Sequence, residues 1–532
     1  MVSTLIYPAK AQFQPHQEVE LIVENPPSQY TLSVTRLEKT VWKRKIENSE
    51  RVAIGSWPEG GYGVTLSQGN ISATTAFDVA LSPVDYPRYG FLSDFFTNDR
   101  FDDADINFLL RCHINLVQFY DWMYRHHQLV PQQNLFTDPM GRELDYETIQ
   151  HKLAACHDVG MSCMAYGAIY GAEKEYEHPE QVMLWPNGKP MQLIGFIDIM
   201  DFEAGGPWAA HITNEFKNVI DKVGFDGIHL DQYGFPKFSI RGHISDNVVF
   251  NVEDAFGPFL EQVRSSLPKA ILIFNSVNNW PIQNVATAPV DAVYIEVWKP
   301  YDTYFYLQKL IIDARRFSGN KPVILAAYLK PFSKNSSCSE ESRMSAFVLV
   351  QAAIYGNGGS QLILGENNSI LQDAYYCDYG VLPDPAKAIC YADFEVRYRD
   401  LLFDRALHPA GHTYCGEGNG DLYIEGVPVS CDGRPGTVWV LVNKKPGMKV
   451  LHFINLTNQA DAFWNAEKRR IEPLQNLNVM FLCEKISSAF VASPENPDLN
   501  PVAYEFAEKC DSMGYRLHIP ELNAWSMLVI FH

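Results

Sequence analysis

The chain has 532 residues, 46% hydrophobic and 20% charged, with 63 acidic and 43 basic side chains and a net charge of −20. That length exceeds what one core can serve, so two to four soluble globular domains are expected. The acidic balance argues against nucleic acid or a membrane surface as partner, whereas a neutral polymer such as a glucan is compatible with it. The ten cysteines, Cys510 among them, contain no CxxC pair, so neither a zinc pattern nor a dense disulfide framework is expected. Met1–Pro8 lacks a charged start followed by a long apolar run. Neither a signal peptide nor a transmembrane span is therefore expected, and the expected compartment is the cytoplasm; secretion with a leader removed is the alternative.

Residues 1–85 alternate apolar and polar positions in short runs, such as Val19–Val23 and Tyr30–Val34, punctuated by Asn25-Pro26-Pro27 and Gly60-Gly61. They read as an N-terminal Ig-like β-sandwich. From 86 to 410 strands alternate with helices. The candidate strands are Tyr89–Phe95, Asn115–Trp122, Met161–Tyr170, Gly227–Tyr233, Ile271–Val277, Ala292–Trp298, Val323–Leu329 and Gln361–Glu366. Amphipathic segments such as Val252–Leu267 and Tyr304–Phe317 lie between them. Eight strand–helix units predict a central (β/α)8 TIM barrel, making the chain multidomain α/β. Residues 411–532 return to strands (Thr437–Val442, Lys449–Ile454, Val479–Leu482, Ser526–Phe531) and predict a C-terminal antiparallel β-sandwich.

Two of the barrel strands end in carboxylates: Gly227-Ile228-His229-Leu230-Asp231 and Ala292-Val293-Tyr294-Ile295-Glu296. The two-residue strand period puts His229 and Asp231 on one face and Tyr294, Glu296 and Trp298 on one face. Acids at the C-terminal ends of barrel strands sit where such folds carry active sites, and a pair of them is the minimum for glycoside hydrolysis. Asp226, at the N-terminal end of its strand, is read as structural.

Longer runs carry a resemblance. Arg88-Tyr89-Gly90-Phe91, His113-Ile114-Asn115-Leu116-Val117-Gln118-Phe119-Tyr120-Asp121-Trp122, Ala165–Ala172 and Gly224-Phe225-Asp226-Gly227-Ile228-His229-Leu230-Asp231-Gln232 resemble glycoside hydrolase family 66, the dextranases and cycloisomaltooligosaccharide glucanotransferases. The resemblance implies a retaining enzyme acting on α-1,6-linked glucans (dextran or isomalto-oligosaccharides), with Asp231 as nucleophile and Glu296 as general acid/base. It implies no cofactor and no metal. Members that make cyclic products usually carry an inserted carbohydrate-binding module, and no segment of that size fits here, which favours hydrolysis. A transglucosylase is the first alternative and a non-catalytic glucan-binding protein the second. Together with the cytoplasmic expectation, this makes imported isomalto-oligosaccharide the expected substrate. At Gly167 the family more often has an amide side chain, so one sugar contact is expected to be altered.

Further candidates for substrate contact are Tyr120, Asp121, Trp122, His127, Tyr166, Tyr170, Gln232, Asn275, Trp298, Tyr328 and Glu366, all at or near strand ends. Of the second strand, Asp121 and Trp122 are expected to touch sugar, whereas Gln118 and Tyr120 also suit core packing. Trp298 is expected to raise the pKa of Glu296 by desolvation. His126 and His127 match no zinc spacing and are read as sugar hydroxyl contacts or part of a solvated loop. Asp198 and Asp201 are possible pocket wall. No motif fixes an oligomeric state.

Overall fold

The computed structural model describes residues 4–240, 249–416, 418–509 and 512–532. Met1, Val2, Ser3 and Cys510, which entered the sequence reading, lie outside the described residues. The chain is multidomain and rich in β-structure.

Near the N-terminus a three-stranded antiparallel sheet (Leu5–Pro8, Glu18–Glu24, Arg51–Ser56) accompanies a four-stranded one (Gln29–Arg36, Lys39–Glu47, Gly60–Gln68, Ile71–Val79). Their alternating apolar residues, among them Val19, Leu21, Leu32, Val34, Val64 and Leu66, form one buried cluster. In the C-terminal part, Val438–Lys445, Met448–Asn455 and Trp525–Phe531 pair antiparallel within a seven-stranded sheet, and Leu474–Leu482 and Ser512–Leu522 pair within a four-stranded one.

Between them runs one sheet of parallel strands: β1 (Tyr89–Leu92), β2 (Leu116–Phe119), β3 (Ser162–Ala168), β4 (Gly227–Asp231), β5 (Ile271–Asn275), β6 (Ala292–Glu296), β7 (Val323–Ala326) and β8 (Ser360–Gln361). Each pairs with its successor. Three residues past β8, β9 (Leu364–Gly365) pairs with β1 through Gly365 and Phe91. Helices follow the strands: α1 (Ala104–Arg111), α2 (Tyr146–Asp158), α3 (Pro207–Asn218), α4 (Glu253–Ser266), α5 (Ile282–Val285), α6 (Tyr304–Phe317), α7 (Glu340–Gly356) and α8 (Pro385–Arg397). The strands are buried on both faces, which is why they read as near-continuous Val, Ile and Leu runs. All eight expected strands overshoot at the C-terminal end, because the residues after each pleated segment turn away to form loops. Among the described residues no helix is long and apolar enough to cross a membrane.

A buried ion cluster ties the N-terminal sheets to the central one. Asp78 accepts from Arg88 Nη2 at 3.0 Å, from Arg399 Nη1 at 3.0 Å and from Gln12 Nε2 at 3.3 Å. Burial alone would raise the Asp78 carboxyl, but Arg88 and Arg399 outweigh it and hold it below the usual carboxylate range. Asp78→Ala leaves two buried guanidiniums without their partner and is expected to cost about 3–5 kcal/mol, read by denaturant unfolding. Because the folded pKa is depressed, this contribution is present above the unfolded carboxylate pKa and fades as pH falls through the folded one. The stability gap between wild type and variant therefore narrows in acid.

Candidate active site

Each of β4, β5 and β6 delivers one polar side chain from its last residue: Asp231, Asn275 and Glu296. Asn275 Nδ2 donates to Asp231 Oδ1 at 2.8 Å and to Glu296 Oε2 at 3.0 Å. Those two oxygens therefore lie no farther apart than the two lengths together, 5.8 Å. Tyr166, from β3, donates its hydroxyl to Asp231 Oδ2 at 2.8 Å. Tyr328, just beyond β7, donates to Glu296 Oε1 at 3.3 Å. Beneath them His229 sits fully buried against Tyr89, with its pKa pushed down to about 3 by burial, so it adds no charge to the floor.

The two acids are tuned differently. Burial and the nearby Asp231 charge push Glu296 up to about 7, against hydrogen bonds from Asn275, Trp298 and Tyr328 that favour its ionised form. Burial also raises Asp231, and hydrogen bonds from Asn275, Tyr166 and the Gln232 backbone N–H offset part of that rise. Glu296, held at about 7, can therefore carry a proton near neutral pH beside Asp231. The two acids stand at the floor of a cavity of about 460 Å³.

A model of glycosyl hydrolase family 66 matches residues 8–529. The chain belongs to glycosyl hydrolase family 66. It is accordingly an enzyme of the glycoside-hydrolase type. A cycloisomaltooligosaccharide glucanotransferase of Niallia circulans is 23% identical over 98% of this chain and 72% of its own length. A second Niallia circulans protein of that description is 30% identical over 54% of this chain and 32% of its own length. A Streptococcus salivarius dextranase is 23% identical over 62% of this chain and 46% of its own length, so the chain spans less than half of these latter two. A Paenibacillus glucanotransferase structure, solved with cycloisomaltoheptaose, superposes with a TM-score of 0.88 at 22% identity over 98% of this chain and 99% of the other.

Within this family 66 chain the cavity takes Tyr120, Asp121, Tyr166, Gln232, Asn275, Trp298 and Tyr328 from the expected contacts. Gln232 is spent on the scaffold, donating to Asn275 O at 3.1 Å and accepting from Gly234 N at 2.6 Å. Asp121 is buried, and that burial pushes it up to about 6 although Arg142 and His126 oppose the rise.

Four expected contacts lie elsewhere. Trp122 is fully buried, packs on Phe225 and donates its indole N–H to Tyr166 O at 3.2 Å. The cause is local: β2 ends at Phe119, and Asp121 takes a left-handed φ of 47°, which turns its carboxylate into the cavity and Trp122 into the core. Tyr170 is also fully buried, its hydroxyl donating to Phe235 O at 2.7 Å. Glu366 is fully buried and accepts from Ser93 N at 2.6 Å, linking β9 to the loop after β1. His127 bonds Glu173 Oε2 at 2.9 Å, and it is His126, bonded to the same carboxylate at 2.6 Å, that reaches the cavity.

Smaller expectations are refined or changed. Trp298 shares the cavity wall with Glu296, whose pKa burial raises, and it also hydrogen-bonds Glu296, which lowers that pKa. Gly167 faces α3, where a Cβ would meet Phe216 at 2.6 Å, so a larger residue there would press on the helix and not on a sugar. Asp198 accepts from Gln192 at 2.6 Å, and neither it nor Asp201 lines the cavity. Asp226 serves the scaffold, accepting from Cys163 N at 2.7 Å and bonding His157 at 2.8 Å.

Sequence reasoning missed Tyr376. Its hydroxyl bonds Tyr294 at 2.9 Å and Tyr328 at 3.3 Å, and its ring stacks on Tyr120 at 4.3 Å. The adjacent pair Tyr375-Tyr376, close after the last strand, was the available signal. Met123, Met140, Leu193, Ile194 and Ile197 add an aliphatic wall from the connections after β2 and β3, with Leu193 and Ile197 paired across a short hairpin.

Proposed function

We propose that the chain is a retaining glycoside hydrolase that cleaves α-1,6-glucosidic linkages of dextran or isomalto-oligosaccharides. The eight parallel strands would form a (β/α)8 barrel at 86–410, flanked by β-sandwich domains at 1–85 and 411–532. The observation that carries the reading is the single Asn275 amide bonded to both carboxylates. The two oxygens that share Asn275 lie within 5.8 Å of each other, which is compatible with the roughly 5–5.5 Å of retaining pairs. The linkage rests on the relatives, a dextranase and cycloisomaltooligosaccharide glucanotransferases.

In the first step Glu296 gives its proton to the glycosidic oxygen while Asp231 attacks the anomeric carbon, forming a glucosyl ester. In the second, Glu296, now ionised, takes a proton from water as that water displaces Asp231. Tyr166 and Asn275 hold Asp231 in the attacking position. Tyr328 stabilises ionised Glu296, so Tyr328→Phe is expected to raise the Glu296 pKa. The alkaline limb of kcat/KM then moves to higher pH, with no more than about a tenfold loss in kcat.

A second reading is favoured by the glucanotransferases among the relatives: a sugar hydroxyl replaces water in the second step and the same two acids serve. Mass spectrometry of products from dextran and an isomalto-oligosaccharide ladder separates the two. Shorter linear products, each carrying one added water, are expected; cyclic or lengthened products would assign transfer, and unchanged substrate would refute both.

A further inference from the structure

A second cavity, of about 280 Å³, lies where the end of α6, the Asn357–Gly358 turn, residues 401–409 and Asn443 meet. It shares no lining residue with the cavity over Asp231 and Glu296. Three arginines line it, Arg315, Arg316 and Arg405, and so does His408. This concentration of positive charge stands out in a chain of net charge −20.

Helix ends attract arginines because the last carbonyls are partly negative, and such side chains commonly fold back onto those carbonyls. That does not account for this group. Arg315 Nε donates to Asn320 Oδ1 at 2.7 Å. Among the described residues no backbone carbonyl and no carboxylate accepts a hydrogen bond from Arg315, Arg316 or Arg405. The one carboxylate in the wall, Asp404, is already neutralised by Lys445 at 2.5 Å. The Asn320 amide also donates to Arg405 O at 3.1 Å, so one side chain holds both arginine segments in place. Gly358, at φ 76°, leaves the room this requires: a Cβ there would lie 2.7 Å from Arg315 Nη1 and 3.0 Å from Leu402 O.

We propose that this cavity binds a small phosphate-type oxyanion, gripped by Arg315 and Arg405 with Arg316 and His408 at its rim. Guanidinium forks match tetrahedral oxyanions through paired N–H bonds, and the volume admits phosphate or a single phosphorylated sugar but not a polyanion. Burial and the charge of Arg405 depress the pKa of Arg315, and the Asp404 carboxylate opposes this only in part.

The test is thermal unfolding of the full chain against inorganic phosphate, with chloride adjusted to keep ionic strength constant. A saturable rise in Tm is expected with phosphate and not with chloride, and Arg405→Gln, an exposed position, is expected to weaken the apparent affinity at least tenfold. Arg315→Gln should do the same; if that variant does not fold, Arg405→Gln alone decides. Phosphorus NMR of phosphate with wild type should show line broadening that Arg405→Gln removes. A hexose monophosphate run in parallel separates the two sources: tighter binding assigns an ester, equal or weaker binding the free ion. No shift beyond that of chloride, or the same shift in wild type and Arg405→Gln, would overturn the proposal.

Discussion

Replacing Asp231 with asparagine is expected to lower kcat by about 10⁴–10⁶-fold with folding intact, since the group that forms the covalent bond is gone. Asparagine keeps the shape and can still accept from Asn275 through its amide oxygen, so unfolding midpoints should move little. Loss of rate alone does not separate a nucleophile from a positioning acid. Asp231→Gly does, because it leaves a gap at the anomeric face lined by Tyr166 and Asn275. A small anion such as azide should enter that gap and restore turnover, giving a glucosyl azide of inverted configuration. Absence of rescue in a folded Asp231→Gly protein, together with modest loss in Asp231→Asn, would remove Asp231 from the nucleophile role.

The second large effect concerns Glu296. Glu296→Gln is expected to reduce kcat/KM on isomalto-oligosaccharides by about 10²–10⁴-fold. The loss should be far smaller on an aryl glucoside, whose leaving group departs without a proton. The pH profile supplies an independent check. Glu296 works protonated in the first step, and burial with the Asp231 charge holds it at about 7, so wild-type kcat/KM should fall as pH rises through that value. Asp231 works ionised, so kcat/KM should also fall as pH drops through the Asp231 pKa, which burial raises above the usual aspartate value. In Glu296→Gln the alkaline limb should vanish while the acid limb stays. A variant that keeps the alkaline limb would show that another group supplies the proton.

Much of this site was legible in the chain because it is built on strands. The two-residue period alone puts Asp231 and Glu296 at strand ends on the side-chain face that lines the cavity, and the same logic finds Asn275. What the period cannot carry is the chain beyond the last ladder bond. The left-handed turn at Asp121 exchanges the places of Asp121 and Trp122, and strand alternation contains no trace of it. Glu366 and Tyr170 look like pocket acid and pocket aromatic in one dimension, yet each satisfies buried backbone groups of another loop. Tyr376 and the aliphatic wall come from the connections between the central strands, whose geometry the period of those strands does not set. The hydrogen bond from Trp298 to Glu296, which favours the ion, was equally hidden, because strand period gives proximity and not bonding.

The Asp78 cluster bears on how this protein can be dissected. Gln12, Asp78, Arg88 and Arg399 come from both ends of the first ninety residues and from beyond α8, and they share one carboxylate. The N-terminal sheets are therefore not a detachable module. Cutting the chain before Arg88 would strand two buried cations in the remainder and one buried anion in the fragment, so neither piece would inherit a neutral surface. Trimming toward a minimal enzyme, or grafting the central sheet onto another scaffold, has to carry this quartet across intact or replace all its charges together.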